Sequence, residues 1–375
     1  MNGIPVFPEV KKNFGFGCMR LPMKDGEVDL DQFCEMADLF IDAGFNYFDT
    51  AHGYIRGKSE TAVRDCVAAR YPREKFLLTN KLSGPFFNSR EDIIPLFESQ
   101  LRACGVEYFD FYLMHAQTAA VYPKFRECEA YETAFRLREE GRVRHVGLSF
   151  HGDAELLDRI LRDYPDVEAV QIQLNYLDYY DPVVQSKPLL DVCAVHGKPV
   201  IVMEPVKGGS LVKLPVDAEA ALDRVRNCCS NAGIALRFAA GCPGVFMTLS
   251  GMSDLAQTAD NVSTMKDFRP LSPEEEAAVI SVREIFSKQN LIRCTGCRYC
   301  VDGCPAGIKI PELFACLNAR NVFGSWNQNM YYSIATRDGG RASDCLACGQ
   351  CEDACPQHLP VRDLLGKVAE VFDKK

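Results

Sequence analysis

The 375-residue sequence contains no apolar run that approaches the roughly 20 residues of a membrane-spanning helix. Its first residues, Met1–Val10, lack the basic segment and apolar stretch of a secretory signal. The sequence has no block of Lys and Arg, and its net charge of −9 gives no electrostatic footprint for nucleic acid. We therefore expect a cytoplasmic protein that binds neither membranes nor nucleic acid.

Cysteine, in contrast, is abundant, with 18 residues in the chain. In a long chain without a secretory signal, cysteines are expected as reduced thiols and metal ligands rather than as a disulfide framework. Nine of them are scattered from Cys18 to Cys242, and nine lie between Cys294 and Cys355. The crowding of the second group indicates a metal site.

One spacing occurs twice in that group, with two, two and three residues between successive cysteines and a Pro after the fourth. In such a run three thiolates bind one [4Fe–4S] cluster, and the fourth Cys ligates the other cluster. Zinc is the alternative, but pairs of C-x2-C would leave the third Cys of each run unused. The spacing therefore predicts two [4Fe–4S] clusters. One is assigned to Cys294, Cys297, Cys300 and Cys355, and the other to Cys345, Cys348, Cys351 and Cys304.

The segment between the two runs, 311–343, is long and rich in helix-forming residues. This arrangement is similar to a helical ferredoxin module rather than to the most compact bacterial ferredoxins. Short helices are predicted at Pro311–Asn318 and Val361–Phe372. Cys316, inside the first of them, is expected to be a buried core thiol rather than a ninth ligand.

The first two thirds of the chain alternate short apolar runs with longer segments of helical periodicity, the pattern of βα units. Eight runs of this kind favour a closed (β/α)8 TIM barrel over an open sheet. The runs are Phe14–Leu21, Asn46–Asp49, Phe76–Lys81, Phe109–His115, Val143–Ser149, Ala169–Leu174, Val200–Glu204 and Val245–Ser250. The helix candidates include Leu30–Ala43, Lys58–Arg70, Arg90–Cys104, Arg126–Glu140 and Asp217–Ala240.

A new helix is predicted to begin after the last strand. Ser272 can cap it, Pro273 suits its first turn, and Glu275 completes a capping box. We expect an α/β barrel over 1–270, a linker helix over 271–290 and a small, mostly helical ferredoxin-like domain over 291–375.

Four polar residues, Asp49, Tyr54, Lys81 and His115, lie at or just after the ends of three successive predicted strands. They should therefore meet at the C-terminal face of the barrel, where barrel enzymes carry out their chemistry. Singly, each has a structural explanation, as a turn residue, a loop aromatic, a solvated cation or a core histidine. Together, in this order, they favour a catalytic site.

These residue types suit the reduction of a carbonyl, in which the developing alkoxide needs a proton. A tyrosine can supply it if its pKa of about 10 is lowered, and a neighbouring ammonium lowers that pKa. Tyr54 is therefore the predicted acid and Lys81 the group that adjusts it. Asp49 would position Lys81, and His115 would hydrogen-bond the carbonyl oxygen.

The local contexts Asp49-Thr50-Ala51-x-x-Tyr54, Thr79-Asn80-Lys81 and Tyr112-Leu113-Met114-His115 resemble the aldo/keto reductase family over roughly Asn13 to Phe268. With the cysteine runs, the chain resembles the iron–sulfur-containing subgroup of that family. The resemblance implies NAD(P)H at the barrel mouth. The residues implied to contact it are Ser149 and Gln171 at the carboxamide, and Ser250, Gly251, Ser253, Gln257 and Asn261 near the phosphates and adenine.

The sequence also departs from the family pattern. Phe150 replaces an Asn that many relatives have, and Met203 replaces a Tyr that stacks on the nicotinamide. Gly251 and Gln257 stand where NADP-preferring members have cations, and a 2′-phosphate without a cation should bind weakly. NADPH preference is therefore not expected.

Clusters move single electrons, whereas a nicotinamide moves a hydride, so direct exchange between them needs a mediator such as a flavin. The sequence has no flavin fingerprint. Three interpretations remain open. The preferred one is an oxidoreductase that acts on a small carbonyl or alcohol while its clusters relay electrons to or from a ferredoxin or another redox protein. The others are an electron-transfer protein with a catalytically inactive barrel, and an ordinary NAD(P)H reductase with structural clusters.

Several aromatic and histidine residues in predicted βα loops are candidate walls of the substrate pocket. His145 and His196, in contrast, are expected to be structural. The candidates are Phe86, Phe87, Tyr122, Tyr176, His52 and His151.

Overall fold

The structure is a computed structural model that describes residues 7–181, 184–226, 229–288, 291–292, 294, 298–323, 327–355 and 359–374. It contains a barrel unit, formed mainly by residues before 277, and a second unit formed mainly by residues 277–375. The strands are β1 Phe14–Gly17, β2 Met23–Lys24, β3 Glu27–Val28, β4 Tyr47–Asp49, β5 Leu77–Leu82, β6 Phe109–Gln117, β7 Val143–Phe150, β8 Ala169–Gln173, β9 Val200–Met203 and β10 Val245–Gly251.

Eight of these strands close into a barrel in the order β1-β10-β9-β8-β7-β6-β5-β4, and every pair is parallel. The predicted (β/α)8 barrel is thereby confirmed. β2 and β3 form a separate antiparallel hairpin. In a closed parallel barrel all strands end on one rim, so polar residues at strand ends converge there.

Helices follow the barrel strands and cover them. Those of the barrel unit are α1 Leu30–Asp42, α2 Lys58–Val63, α3 Ile93–Cys104, α4 Tyr122–Glu127, α5 Ala130–Glu139, α6 Ala154–Asp163, α7 Ser186–Val195, α9 Asn231–Gly241 and α10 Leu255–Lys266. The helix α8 Val216–Asp223 belongs to the second unit. Three-residue 3-10 turns also occur, and a π-helical turn, Arg64–Ala68, directly continues α2.

Two apolar layers stabilise the barrel. Inside it, alternate strand residues such as Tyr47, Phe111 and Met247 form one buried cluster, and Phe7 packs on Phe111 with ring centroids 5.0 Å apart. Outside it, a larger cluster joins strands to helices, as where Phe16 on β1 packs against Phe33 and Phe40 of α1. Burial of such large side chains stabilises the fold by about 1.5–3 kcal/mol each.

The predicted strands agree with the observed ones to within a few residues, but some helices do not. Arg126–Glu140 is two helices, because Glu129 has φ of 49° and interrupts the helical backbone. Asp217–Ala240 is also two helices, because Ser230 caps a new helix through a hydrogen bond from Gly233 N. The β2–β3 hairpin was not predicted, although its turn is Asp25-Gly26, a common hairpin sequence.

The remaining helices are α11 Pro273–Lys288, α12 Tyr299–Asp302, α13 Ile310–Phe323, α14 Asn327–Ala335, α15 Gln350–Asp353 and α16 Val361–Phe372. α11 has the predicted capping box: Glu275 N donates to Ser272 Oγ at 3.2 Å, and Ser272 N donates to Glu275 Oε2 at 2.8 Å. The precise domain limits remain predictions.

The second unit has its own apolar core, in which α13 packs against α14 and α16. Leu313, Phe314 and Cys316 of α13 are buried there, together with Leu365 of α16. Cys316 is therefore the core thiol that its sequence context indicates. Among the described residues, no helix combines the length and apolar character needed to cross a membrane.

Candidate functional site

Asp49, Lys81 and His115 lie on three neighbouring strands of the barrel. Asp49 is the last residue of β4, Lys81 is the penultimate residue of β5, and His115 lies near the end of β6. Because β4 pairs with β5 and β5 pairs with β6, their side chains share one sector of the C-terminal rim. The structure thus brings together these three sequence-predicted residues.

Asp49 and Lys81 form a buried ion pair. Lys81 Nζ donates to Asp49 Oδ1 at 2.6 Å and to the carbonyl oxygen of Thr50 at 2.8 Å. The Lys81 side chain is 0% exposed and that of Asp49 is 5% exposed. The second carboxylate oxygen accepts a hydrogen bond from Gln171 Nε2 at 3.1 Å. The ammonium is therefore held in one position.

Tyr54 lies above this ion pair. The Lys81 ammonium is 4.7 Å from the centroid of the Tyr54 ring, and the ring meets His115 edge-on with centroids 5.9 Å apart. The two residues after Tyr54, Ile55 and Arg56, have φ of 50° and 55°. A β-branched residue such as Ile55 rarely adopts this left-handed conformation, and strained backbone of this kind is concentrated at functional sites.

The pKa of Tyr54 differs from the sequence prediction. Burial raises it, the Lys81 ammonium lowers it, and the Asp49 carboxylate raises it again, so the net shift is upward. The predicted lowering below about 10 is therefore wrong for the protein alone, because the cost of burying a phenolate outweighs its attraction to Lys81. The phenol consequently stays protonated at neutral pH, which is the state that a proton donor requires.

The ammonium of Lys81 remains charged. Burial alone would lower its pKa, but Asp49 and Tyr54 raise it, and the net shift is upward. A permanent positive charge beneath the Tyr54 ring favours any negative charge that develops above it.

His115 is oriented by a neighbour that the sequence analysis missed. Its Nδ1 lies 2.6 Å from Ser83 Oγ. Ser83 follows Lys81 by two residues, so the period of two along a strand was a usable signal. If the Ser83 hydroxyl donates to Nδ1, the imidazole proton resides on Nε2, which can then donate to a substrate oxygen.

A bulge directs the His115 side chain. The register between β6 and β7 shifts between Met114 and Gln117, and Ala116 has φ of 52°. Bulges commonly turn a side chain toward an active site. Burial, the Lys81 charge and His151 hold the pKa of His115 well below its usual range, so the ring is neutral. Burial likewise lowers the pKa of His151 to about 4.

His52 belongs to a second polar network beside the same loop. Its Nδ1 lies 2.8 Å from Glu60 Oε2, and Glu60 Oε1 accepts from Asn80 Nδ2 at 2.8 Å. Glu60 is only 1% exposed, and its hydrogen bond raises the pKa of His52. Phe86 meets the His52 ring edge-on. Glu60 was absent from the predicted site, and it fixes the loop that carries Tyr54.

The residues implied to hold a nicotinamide carboxamide lie on adjacent strands. Ser149 of β7 and Gln171 of β8 are register partners. The Ser149 hydroxyl is buried and has no hydrogen-bond partner among the described residues. A buried polar atom of this kind usually indicates an unseen partner. The amide and hydroxyl donors of this pair fit a primary amide ligand.

The region implied to bind the phosphates is already partly occupied by its own side chains. Asn261 Nδ2 donates to Ser250 Oγ at 3.0 Å, and Ser253 Oγ donates to Arg20 O at 2.8 Å. Gln257 accepts from Ser253 N at 3.0 Å and donates through Nε2 to Asp254 at 2.7 Å. An acidic side chain, Asp254, therefore caps this helix start.

One cation near that region was missed by the sequence analysis. The aliphatic stem of Arg20 lies beside the Gly251 backbone, and its Nη2 pairs with Glu204 at 3.1 Å. Arg20 follows the first strand, far from Gly251 in sequence, so only the closure of the barrel brings the two together.

Other predicted pocket residues have mainly packing contacts. Phe87 is buried against Phe125, and the Tyr122 hydroxyl donates to Asp163 at 2.5 Å. Tyr176 is fully buried. These three are buried, whereas Phe86 is 45% exposed, and their role as walls of the substrate pocket stays a prediction.

His145 and His196 have the structural roles that the sequence predicts. His145 lies between Glu9 and Glu168, at 2.6 and 2.9 Å, on the side of the barrel where β7 begins. His196 Nε2 lies 2.8 Å from Asp158 Oδ1. Neither residue belongs to the group around Tyr54.

In the second unit, four cysteines line one pocket. They are Cys304, Cys345, Cys348 and Cys351, which form one of the two predicted ligand sets. The rest of the wall is mainly apolar and includes Ile308, Ile310 and Leu365. Thiols in an apolar wall fit an iron–sulfur cluster.

The other predicted ligand set is described only in part. Cys294 and Cys300 are partly buried against the core of the second unit, and Cys355 is partly buried as well. α12, which carries Cys300, contacts α15, which carries Cys351. Cys297 lies outside the described residues.

Comparison with protein families agrees with this geometry. The model of the aldo/keto reductase family matches residues 13–284. This chain belongs to the aldo/keto reductase family. Residues 293–359 match the model of a 4Fe-4S dicluster domain, so this member of the family carries an iron–sulfur type domain after its barrel.

Curated relatives of the family are similar over part of their length. An aldo-keto reductase of Mycolicibacterium smegmatis is 29% identical over 206 residues, which cover 54% of this chain and 66% of that protein. The NADH-specific methylglyoxal reductase of Escherichia coli is 28% identical, over 51% of this chain and 61% of that protein. An uncharacterized oxidoreductase of Bacillus subtilis is 23% identical, over 71% and 91%.

Solved structures of family members share the fold. An aldo-keto reductase from Bacillus halodurans, in its holo form, has a TM-score of 0.60 and 22% identity, and the match covers 72% of this chain and 92% of that one. One from Klebsiella pneumoniae in complex with NADPH has a TM-score of 0.59 and 22% identity, over 72% and 90%. At this identity the likeness shows the fold alone.

Proposed function

We propose that this protein is a cytoplasmic oxidoreductase that interconverts a small carbonyl compound and its alcohol at the barrel mouth. Two [4Fe–4S] clusters held by the C-terminal domain would exchange single electrons with a redox partner, and their coupling to hydride chemistry would need a mediator such as a flavin. The observation that carries the proposal is the buried Lys81–Asp49 pair beneath Tyr54, with His115 beside the same ring. If each of these four residues had a separate structural role, their side chains would not need to meet at one place.

The proton chemistry follows from the positions of these side chains. Tyr54 donates its phenolic proton to the carbonyl oxygen as that oxygen becomes an alkoxide. The Lys81 ammonium, fixed by Asp49 and the Thr50 carbonyl, stabilises the phenolate that remains. Neutral His115, oriented through Ser83, donates from Nε2 to the same carbonyl oxygen and holds it near Tyr54.

A bound nicotinamide supplies the hydride that the carbonyl carbon receives. Ser149 and Gln171 would hold its carboxamide, and the segment from Ser250 to Asn261 would hold the phosphates and adenine. The unpartnered Ser149 hydroxyl supports this assignment. Because Asp254 and Gln257 occupy the helix start, NADH is the expected nucleotide. The Escherichia coli relative is likewise named as NADH-specific.

The clusters supply single-electron transfer in the second unit. Cys304 with Cys345, Cys348 and Cys351 would hold one cluster, and the pocket that these four thiols line supports that set. The remaining four cysteines of the two runs would hold the other. A ferredoxin-type protein is the expected partner, since single-electron carriers exchange electrons directly.

The proposal is tested on protein purified anaerobically and assayed for iron, zinc and flavin. Methylglyoxal, the substrate named for the Escherichia coli relative, is the first carbonyl to assay, followed by other small aldehydes and ketones. We expect nucleotide-dependent reduction, faster with NADH than with NADPH. If no compound of this panel is turned over with NADH, with NADPH or with reduced ferredoxin, the enzyme assignment is overturned. That result would favour an electron-transfer protein with an inactive barrel.

A further inference from the structure

Two cysteines of the barrel that take no part in the proposed chemistry lie unusually close together. Cys34 Sγ, on α1, is 2.6 Å from Cys66 Sγ, in the π-helical turn after α2. Even carbon atoms, which are smaller than sulfur, pack at about 3.5–4.0 Å without a bond. The backbone of these two elements therefore already presents the sulfurs at nearly bonding distance.

The surroundings hold both cysteines in this position. Arg70 Nη1 donates to the carbonyl oxygens of Cys34 and Cys66, each at 3.3 Å. Its Nη2 binds Asp38 of α1 at 2.8 Å, and the Tyr71 hydroxyl binds the same carboxylate. The Cys66 thiol also reaches the Leu30 carbonyl oxygen at 3.3 Å. The close approach is thus part of a fixed junction between α1 and the π-helical turn.

The two thiols differ in access. Cys66 is buried, and burial together with the Cys34 neighbour raises its pKa far above the usual range. Cys34, in contrast, is partly exposed to solvent. An external reagent therefore meets Cys34 first and Cys66 second.

We propose that Cys34 and Cys66 form a reversible disulfide when the protein meets a small-molecule disulfide. The Cys34 thiolate attacks one sulfur of the reagent and releases the other half as a thiolate. The Cys66 sulfur then attacks the mixed disulfide at Cys34 and releases the second half. The protein thiols together lose two protons and two electrons, and the reagent is reduced to two thiols.

The test uses the full-length, cluster-containing protein under anaerobic conditions, with oxidised glutathione as the probe. Remaining thiols are then blocked with N-ethylmaleimide under denaturing conditions, and the peptides are mapped by mass spectrometry. We expect a peptide pair linked through Cys34 and Cys66, which dithiothreitol separates. Complete alkylation of both cysteines after exposure to glutathione disulfide would overturn the proposal.

Variants make the order of attack visible. Cys66→Ser should stop at the mixed disulfide, with glutathione retained on Cys34. Cys34→Ser should lose the linked peptide and leave Cys66 alkylated. Cys128→Ser, a buried cysteine elsewhere on the barrel, is the matched control and should form the link as the unaltered protein does. Glutathione on Cys66 in Cys34→Ser, at the rate seen for Cys34, would contradict the assigned roles.

Discussion

The stability of the barrel should depend on both partners of the ion pair beneath Tyr54. Lys81→Met leaves the Asp49 carboxylate buried without its cation, which should lower the free energy of unfolding of the barrel by about 3–5 kcal/mol. The Asp49→Asn/Lys81→Met double variant removes both charges and should recover most of this loss. Denaturant unfolding of both variants provides the measurement. A Lys81→Met protein as stable as the unaltered one would contradict the prediction.

The burial of neutral His151 should make the stability of the barrel depend on pH. Its pKa is about 4 in the folded protein, against about 6.5 in an unfolded chain. Between these values the unfolded chain binds the extra proton, so this group's contribution to stability is complete above pH 6.5 and is lost as the pH falls toward 4. His151→Gln should therefore lose less stability over that window than the unaltered protein. Equal pH slopes for the two proteins would exclude this role of His151.

The residues that sequence reasoning missed act through contacts of different origin. Arg20 approaches Gly251 only because the barrel closes, whereas Ser83 contacts His115 of the adjacent strand and Glu60 contacts His52, which is eight residues earlier in the chain. Asp49, Lys81 and His115 could be predicted from the sequence because each lies near the end of a strand with a clear apolar pattern. The net pKa shift of Tyr54 could not be predicted, because the extent of its burial is a property of the fold.

Among the secondary-structure elements, strands were easier to predict than helices. A buried parallel strand is a continuous apolar run, so its limits are visible in the sequence. A helix can be interrupted by a single residue with a left-handed backbone, such as Glu129, without any change in the periodicity of apolar residues in the sequence. The π-helical turn after α2 is another such feature, and it is the element that brings Cys66 to Cys34.

The packing of that π-helical turn can be tested by alanine substitutions at two glycines with similar backbone conformation. Gly105 after α3 and Gly141 after α5 both have a left-handed backbone, with φ of 66° and 73°. A Cβ at Gly105 would lie 2.7 Å from Arg64 Cγ, in the turn, whereas Gly141 has open space. Gly141→Ala should cost about 1 kcal/mol from backbone strain alone, and Gly105→Ala more. If denaturant unfolding shows the same loss of stability in both variants, the Arg64 side chain can move away from the added Cβ without an energetic cost.

Across the whole chain, we expect two clusters whose ligands can be removed separately. Cys304→Ser removes a ligand from the described pocket and should lower the iron content by about half, from about eight irons per chain. Cys316→Ser alters a buried core cysteine of the same unit and should retain full iron. Iron is measured after anaerobic purification, with zinc as the comparison. Full iron in Cys304→Ser, or stoichiometric zinc in the unaltered protein, would refute the ligand assignment.

The carbonyl reductase activity of Tyr54→Phe decides whether Tyr54 is the proton donor. This substitution removes the hydroxyl and keeps the ring that packs over Lys81 and against His115. Positioned general acids contribute about 10²–10⁴-fold, so turnover should fall by that factor while the iron content and the unfolding midpoint stay unchanged. Full carbonyl turnover in Tyr54→Phe, with its clusters intact, would contradict the assignment of Tyr54 as the proton donor and with it the proposed enzyme.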